Sequence, residues 1–381
     1  VSIKSNKEFF GELREWSERK LKILEQYLDP FVKVLGSLQA VSRVYYIDAF
    51  AGEGLYQKGE KGSSVRAAEL AQQYEREGKP YHLKCINIEA DQESFENLQA
   101  NTAVFGDLTL NLYGPFTENI DRVLAETRGY PALFFLDPFG VKGINWDLIR
   151  QIIHRGSITD LWIRFDHIAV RRLNGLYKSE AHGAQKGFSN LCDIYGIPDQ
   201  EFLHALLSGQ DADERKQKAV NLYMGRLTEE FQKTRQKGFV AAYPVRSITK
   251  QDKYSLIFAT GNVRGAIIAS ELICSAEETY QQEIEEYKVS QTRQPSLFSL
   301  EPSEKEVFDN KVSQLAESMW EMCKGLTLSR PEVYEQILSK WFGKIRSTHV
   351  TNALKKLQKD GRIEHATGAP SNRKTHFTFQ K

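Results

Sequence analysis

Cysteine is scarce. The 381-residue chain has four, Cys85, Cys192, Cys274 and Cys323, far apart and with no CxxC pair. That spacing offers neither a structural zinc set nor a disulfide framework. Long apolar runs are missing as well, none approaching the ~18 residues that a membrane helix needs. The opening stretch VSIKSNKEFFGELREWSERK is too charged for a signal peptide. The expected location is therefore cytoplasmic, with no membrane partner. Neither sign of charge dominates: 51 basic and 50 acidic residues leave a formal net charge of +1, so the average gives no reason to expect a polyanion partner. The eight histidines contain no HxxxH or HExxH pair, which argues against metal catalysis. No GKS or GKT follows a glycine loop, so a P-loop is excluded.

What is present alternates. Apolar positions from Phe9 to Phe31 fall near helical spacing over residues 7–35, with a break or kink expected at Asp29-Pro30. VYYIDAF (44–50) then reads as a buried strand, SVRAAELAQQYEREG (64–78) as a helix and HLKCINIEA (82–90) as a strand. A helix, the strand LTLNLYG, another helix and the strand PALFFLD (131–137) follow, and DLWIRFD (160–166) is a fifth strand. Such alternation predicts a parallel, doubly wound α/β sheet. Residues 171–237 are polar and helical, an expected inserted cap. FVAAYPVRSI (239–248) and KYSLIFATG (253–261) are joined by a turn too short for a parallel crossover, so they must pair antiparallel. A parallel sheet closed by an antiparallel hairpin resembles the Rossmann-like fold of class I S-adenosylmethionine (SAM) methyltransferases.

The expected cofactor loop is IDAFAGEGLY (47–56), directly after the first strand. Glycines there let the backbone approach a ligand. Asp48, Phe50, Gly52 and Gly54 are its candidate residues. Glu89, closing the second strand, can accept both hydroxyls of a ribose; its alternative role is a helix-cap acid. Gln57 stands where a nicotinamide-binding loop wants Gly or Ala, so SAM fits better than NAD. Phe116 is the candidate adenine contact, with Thr117 the expected cap of the next helix. His167, after the fifth strand, could reach the site mouth or cap a helix.

FFLDPFG (134–140) ends the fourth strand at the same sheet edge. As a bare motif it is a turn; at this position it becomes a candidate catalytic lip made of Asp137, Pro138 and Phe139. Acid-Pro-aromatic resembles the signature of amino-methyltransferases, and DPFG in particular resembles that of tRNA guanine-N2 dimethyltransferases. The resemblance implies that the acid and a neighbouring carbonyl hold an exocyclic amine while the aromatic stacks on the base. A wider set of segments, RKLKILEQYLDPF (19–31), YYIDAFAGEGLY (45–56), GSS (62–64), FFLDPFG with Trp146 beyond it, and YSLIFATGN (254–262), resembles the three-Cys-motif partner family. That resemblance implies a SAM-binding, methyltransferase-like chain and a possible partner bearing three cysteines of radical-SAM type. Lys20 matches a family lysine and reads equally well as a solvated helix lysine. The family pattern has Gly-Ser-Pro where this chain has Gly-Ser-Ser.

After a helix at 264–288, residues 289–303 are rich in Ser, Gln and Pro and read as a linker. The expected domains are thus 1–288, the linker, and 304–381. The last comprises helices at 304–323, 330–342 and 346–361 and then a hairpin, which resembles a winged helix-turn-helix. From residue 325 onwards eleven basic residues face four acids, a net +7 against −6 for the rest. Clustered positive charge suits phosphate binding, although winged helices also dock proteins. The candidate nucleic-acid contacts, to DNA or RNA, are Arg346, Thr348, Asn352, Lys355, Lys356, Arg373 and Lys374.

Overall fold

The computed structural model describes residues 14–38, 41–140, 142–292 and 303–381. The chain divides into two compact units, Val1–Asn262 and Val263–Lys381. The division falls before helix α10 (Val263–Thr292), not at the expected boundary after residue 288. Its cause is packing: Ile273 of α10 lies where a Cβ on Gly343 would sit, and Ser270 Oγ accepts the Gly343 N–H at 3.0 Å.

In the first unit, β1 (Arg43–Asp48), β2 (His82–Glu89), β3 (Thr109–Tyr113), β4 (Ala132–Leu136) and β5 (Thr159–Phe165) run parallel. The hairpin β6 (Phe239–Arg246) and β7 (Asp252–Thr260) completes a seven-stranded sheet of order β3-β2-β1-β4-β5-β7-β6, with β7 antiparallel to both neighbours. All five residues of β4 and the last five of β1 are buried, as expected for strands covered on both faces. The chain winds outwards from β1 to β3, then returns to β4 on the other side. That reversal makes the carboxyl ends of β1 and β4 the switch point of the sheet, outside which α/β sheets bind ligands.

Helices α1 (Glu15–Gly36), α2 (Ser63–Arg76), α3 (Gln92–Thr102), α4 (Phe116–Glu126) and α5 (Trp146–Ile153) belong to this unit. The expected break at Pro30 is absent, since α1 runs through it. Tyr27, Leu28, Phe31 and Val32 are buried on both sides of the proline, and Tyr27 donates to Asp160 at 2.5 Å. That packing offsets the ~3 kcal/mol an internal proline costs. Phe9, Phe10 and Leu13 of the expected helix lie outside the described residues.

The segment expected to be a polar cap contains α6 (His167–Asn174), α7 (Ala184–Tyr195), α8 (Gln200–Leu207) and α9 (Ala212–Lys233). It is structural core instead. Phe188, Leu191, Tyr195, Leu203, Tyr223, Leu227 and Phe231 join the cluster built on β1, β4 and β5. Polar composition conceals this, because each helix buries only one face.

The second unit holds α10, α11 (Glu304–Cys323), β8 (Thr327–Ser329), α12 (Arg330–Trp341), α13 (Ser347–Lys359), β9 (Ile363–Ala366) and β10 (His376–Phe379). Its small sheet has order β8-β10-β9 with antiparallel pairing. Val350, Leu354 and Leu357 face inward, fully buried with Val333, Ile337 and Phe377. Residues 289–292, expected to be linker, are the last turn of α10; 293–302 lie outside the described residues. No helix among the described residues is long and apolar enough to cross a membrane.

Candidate active and cofactor site

The loop after β1 is stitched down by backbone bonds. Ala49 N–H donates to Phe135 O at 3.1 Å, Ala51 N–H to Ile88 O at 2.9 Å, and Gly62 N–H to Gly54 O at 2.8 Å. Gly52 and Gly54 turn with φ of +60° and +80°, a region that favours glycine. A Cβ on Gly54 would stand 3.2 Å from Val65 Cγ2, so helix α2 also demands glycine there. Gly52 N–H donates to Glu89 Oε2 at 2.9 Å, and Asp91 N–H to Oε1 at 2.8 Å. The two bonds orient Glu89 at the end of β2 and leave each oxygen further lone pairs. The cap of α3 is Asp91, which accepts from Ser94 N–H at 3.0 Å; Glu89 is therefore not that cap.

Asp48 lies beneath the loop, not at its surface. Fully buried, it accepts from Ser63 Oγ at 2.5 Å, Tyr46 Oη at 3.2 Å and Phe50 N–H at 3.3 Å. Burial pushes its carboxyl up to about 6, with the Asp137 charge adding to the rise and the Ser63 bond opposing it. Asp48 thus holds the loop in place and does not line its mouth. Phe50 leans on Phe116 (ring centroids 6.4 Å apart) and on Gly143.

Phe116 needs correction. Its ring is buried in the core at the first turn of α4, so it presents no face to an adenine. Thr117 does not cap α4; Pro115 holds that position. The aromatic beside Glu89 is Tyr113, its register partner on β3, half exposed and packed 5.4 Å from Phe95. Side chains paired in register share a sheet face, a relation that sequence alone does not give.

Asp137 follows β4 directly and is joined to two cations. Lys20 of α1 donates to its Oδ2, and Arg164 Nε of β5 stands 3.6 Å from Oδ1. At that distance Arg164 makes an ion pair and no hydrogen bond. Lys20 is buried, with its ammonium 5.4 Å from the centre of the Phe135 ring, so the solvated reading of this lysine fails. Arg164 also donates from Nη1 to Pro138 O at 2.6 Å and lies 4.8 Å over the Tyr254 ring. Pro138 is buried, while Phe139 is 72% exposed. Tyr56 completes the surroundings; burial and then the Asp137 and Asp48 charges push its phenol above its ordinary value. Arg164, Ser63, Tyr113 and Tyr254 were thus not picked out as site residues by their local sequence, and Lys20 was singled out only by the family resemblance.

His167 is packed inside the unit and is not open to solvent. It is buried with Nδ1 3.1 Å from Ser255 Oγ, and burial pushes its imidazole down to about 4. Asp166 caps α6 in its place, accepting from Ala169 N–H at 2.8 Å.

Among the expected nucleic-acid contacts, Thr348, Lys355, Arg373 and Lys374 are exposed, and Asn352 and Lys356 half-buried. Arg346 is committed elsewhere, paired with Glu278 of α10, while the neighbouring Ser347 N–H donates to Glu271 at 2.7 Å. Arg330, counted in the basic excess, is buried and bonds Thr351 Oγ1 at 3.0 Å. Residues 263–324 carry six basic and twelve acidic residues, so the second unit as a whole is only +1. The basic excess is local to its last two helices, α12 and α13, and its three strands.

No protein-family model matches the chain, and no curated protein does. Solved structures that resemble it include an O-methyltransferase from Bacillus cereus in complex with SAH, at 12% identity over 62% of this chain and 80% of that one, with a TM-score of 0.31. The O-methyltransferase TomG from Streptomyces achromogenes, in complex with SAM, matches at 12% identity over 62% and 78%, with a TM-score of 0.29. PKMT2 from Rickettsia typhi in complex with AdoHcy matches at 12% identity over 64% and 55%, also at 0.29.

Proposed function

We propose that the chain is a class I SAM-dependent methyltransferase whose acceptor is an exocyclic amine of a nucleic-acid base. The carrying observation is the meeting, at one sheet edge, of the glycine loop anchored on Glu89 and the acid lip at Asp137. The sheet order, with its reversed seventh strand, is that of the class I methyltransferase fold. The donor set suits a nucleoside: Glu89 has lone pairs for a ribose diol, Gly52 brings bare backbone close, and Tyr113 offers an aromatic face. SAM, when bound, supplies a methyl group on a sulfonium centre.

The chain's own residues prepare the acceptor. Lys20 and Arg164 pair with Asp137 and fix the position of its carboxylate, while Oδ1 carries no hydrogen bond within the described residues. That oxygen accepts an amine N–H and turns the nitrogen lone pair towards the methyl group. Phe139 presents a ring on which the base stacks. In the second unit, the helices followed by a small antiparallel sheet suit a winged helix-turn-helix, with Lys355, Lys356, Arg373 and Lys374 turned towards phosphates.

A second reading has one observation in its favour. Pro138 O, the neighbouring carbonyl acceptor of the lip, already receives Arg164. A SAM-binding subunit that serves a three-Cys, radical-SAM-type partner would need no free carbonyl there. The deciding measurement is label transfer from methyl-tritiated SAM to bacterial DNA and RNA. Label in one polymer, lost in Asp137→Ala, supports the enzyme. SAM binding without transfer to either polymer rejects it and favours the partner subunit.

A further inference from the structure

A cavity of about 460 Å³ opens among α6, α8 and α9, apart from the glycine loop and the Asp137 lip. Three guanidiniums line it, those of Arg171, Arg172 and Arg215, and no carboxylate does. Arg171 and Arg172 are exposed and have neither an ion pair nor a hydrogen bond from their side chains within the described residues. Arg215 donates to Gly209 O at 2.8 Å, which fixes its plane and leaves other N–H groups to give.

The wall behind them is ordered. His204 is held by Asn174 Oδ1 at 3.1 Å and lies 3.3 Å from Ser208 Oγ, its ring stacked on Tyr177 with centroids 4.2 Å apart. Asn174 itself is 5% exposed. Like charges gathered without a counter-ion repel one another. Other cations of the unit are held by acids, as Arg66 is by Glu18 and Lys216 by Asp252. A planar fork of donors, repeated three times around a concave surface, matches phosphoryl oxygens.

We infer that this cavity is a phosphoryl-binding site. Helix α6 begins three residues after Arg164 and two after the end of β5, at the sheet edge that carries Asp137. At ~1.5 Å per residue, Arg171 lies about 8 Å along the helix from Asp166. In the proposed methyltransferase, on which this assignment of the ligand rests, the cavity holds a phosphate of the substrate chain while the base reaches Asp137. The phosphoryl group has two sources, a polynucleotide backbone or a free nucleotide.

The test uses the full chain without SAM and follows binding of guanosine monophosphate and of a fluorescent 12-nucleotide single strand. Arg171→Gln/Arg172→Gln is the variant, both side chains being exposed and unpaired. We expect at least a tenfold loss of affinity, with the salt slope for the single-stranded oligonucleotide falling by about 1.4. Loss for the oligonucleotide alone assigns the site to a backbone phosphate; loss for both probes admits a free nucleotide. Unchanged affinity for both probes, or no binding by the wild type, overturns the inference. Methyl transfer is measured separately: binding that depends on the arginines in a chain that transfers no methyl group keeps this site and rejects the enzyme.

Discussion

Replacing Asp48 by Asn should make the protein more stable at alkaline pH than at acid pH, relative to wild type. The reasoning starts from burial: the carboxyl is inaccessible and pushed up to about 6, against an ordinary value of 3.8. Between those values the native state keeps the proton that the unfolded chain has lost. The stabilisation is therefore complete below pH 3.8 and is lost as pH rises through about 6. The gap corresponds to about 3 kcal/mol in all, of which about 1.4 kcal/mol disappears between pH 5 and pH 8. Asn fits the same space, because the Ser63 and Tyr46 hydroxyls can accept from an amide as readily as they donate to a carboxylate. Urea titrations of wild type and Asp48→Asn at pH 5 and pH 8 give the two differences in unfolding free energy. Taking one from the other cancels every other titrating group, including Asp160, which burial also pushes up to about 6. A shift of about 1.4 kcal/mol in favour of Asn at pH 8 is expected. Equal differences at the two pH values would refute the buried-charge argument.

Four further outcomes are expected. Phe116→Ala should lower the melting temperature sharply, for a loss of about 3–5 kcal/mol from a core cavity, whereas Tyr113→Ala should leave stability almost untouched and weaken SAM binding in titration calorimetry. Gly54→Ala should cost about 1–2 kcal/mol in urea unfolding, since alanine is strained at a φ of +80°. Lys20→Met should reduce stability by about 1–3 kcal/mol, read as a lower urea midpoint, because Asp137 loses the partner on Oδ2. Lys355→Ala/Lys356→Ala should reduce the salt slope of oligonucleotide binding by about two; Arg346→Ala, which breaks the pair with Glu278, should leave that slope unchanged.

The strands of the sheet were legible because buried parallel strands demand runs such as VYYID and ALFFL, and few other contexts do. The antiparallel hairpin was legible because chain length forbids anything else. The place of Asp137 at the sheet edge was legible because its motif ends a strand. What local pattern does not carry is the identity of partners distant in sequence. Lys20 meets an acid 117 residues away, and Arg346 meets one 68 residues away. Phe116 and Tyr113 differ by three residues, yet one begins a helix over the core and the other ends an edge strand. The basic excess was overstated because the tally began at residue 325, just past the acidic helices that fold with it.

The four helices between β5 and β6 also bear on how the chain folds. The β6–β7 hairpin closes over a short turn, but β7 must find β5 across 86 intervening residues, 166–251. Closing so long a flexible loop costs about 4 kcal/mol of chain entropy beyond a constant term. Docking Tyr195, Tyr223 and Phe231 on the sheet shortens that loop before the strands meet. The helices are then a prerequisite for completing the sheet, and their removal should leave β5 as an open edge, exposed to pairing with other chains.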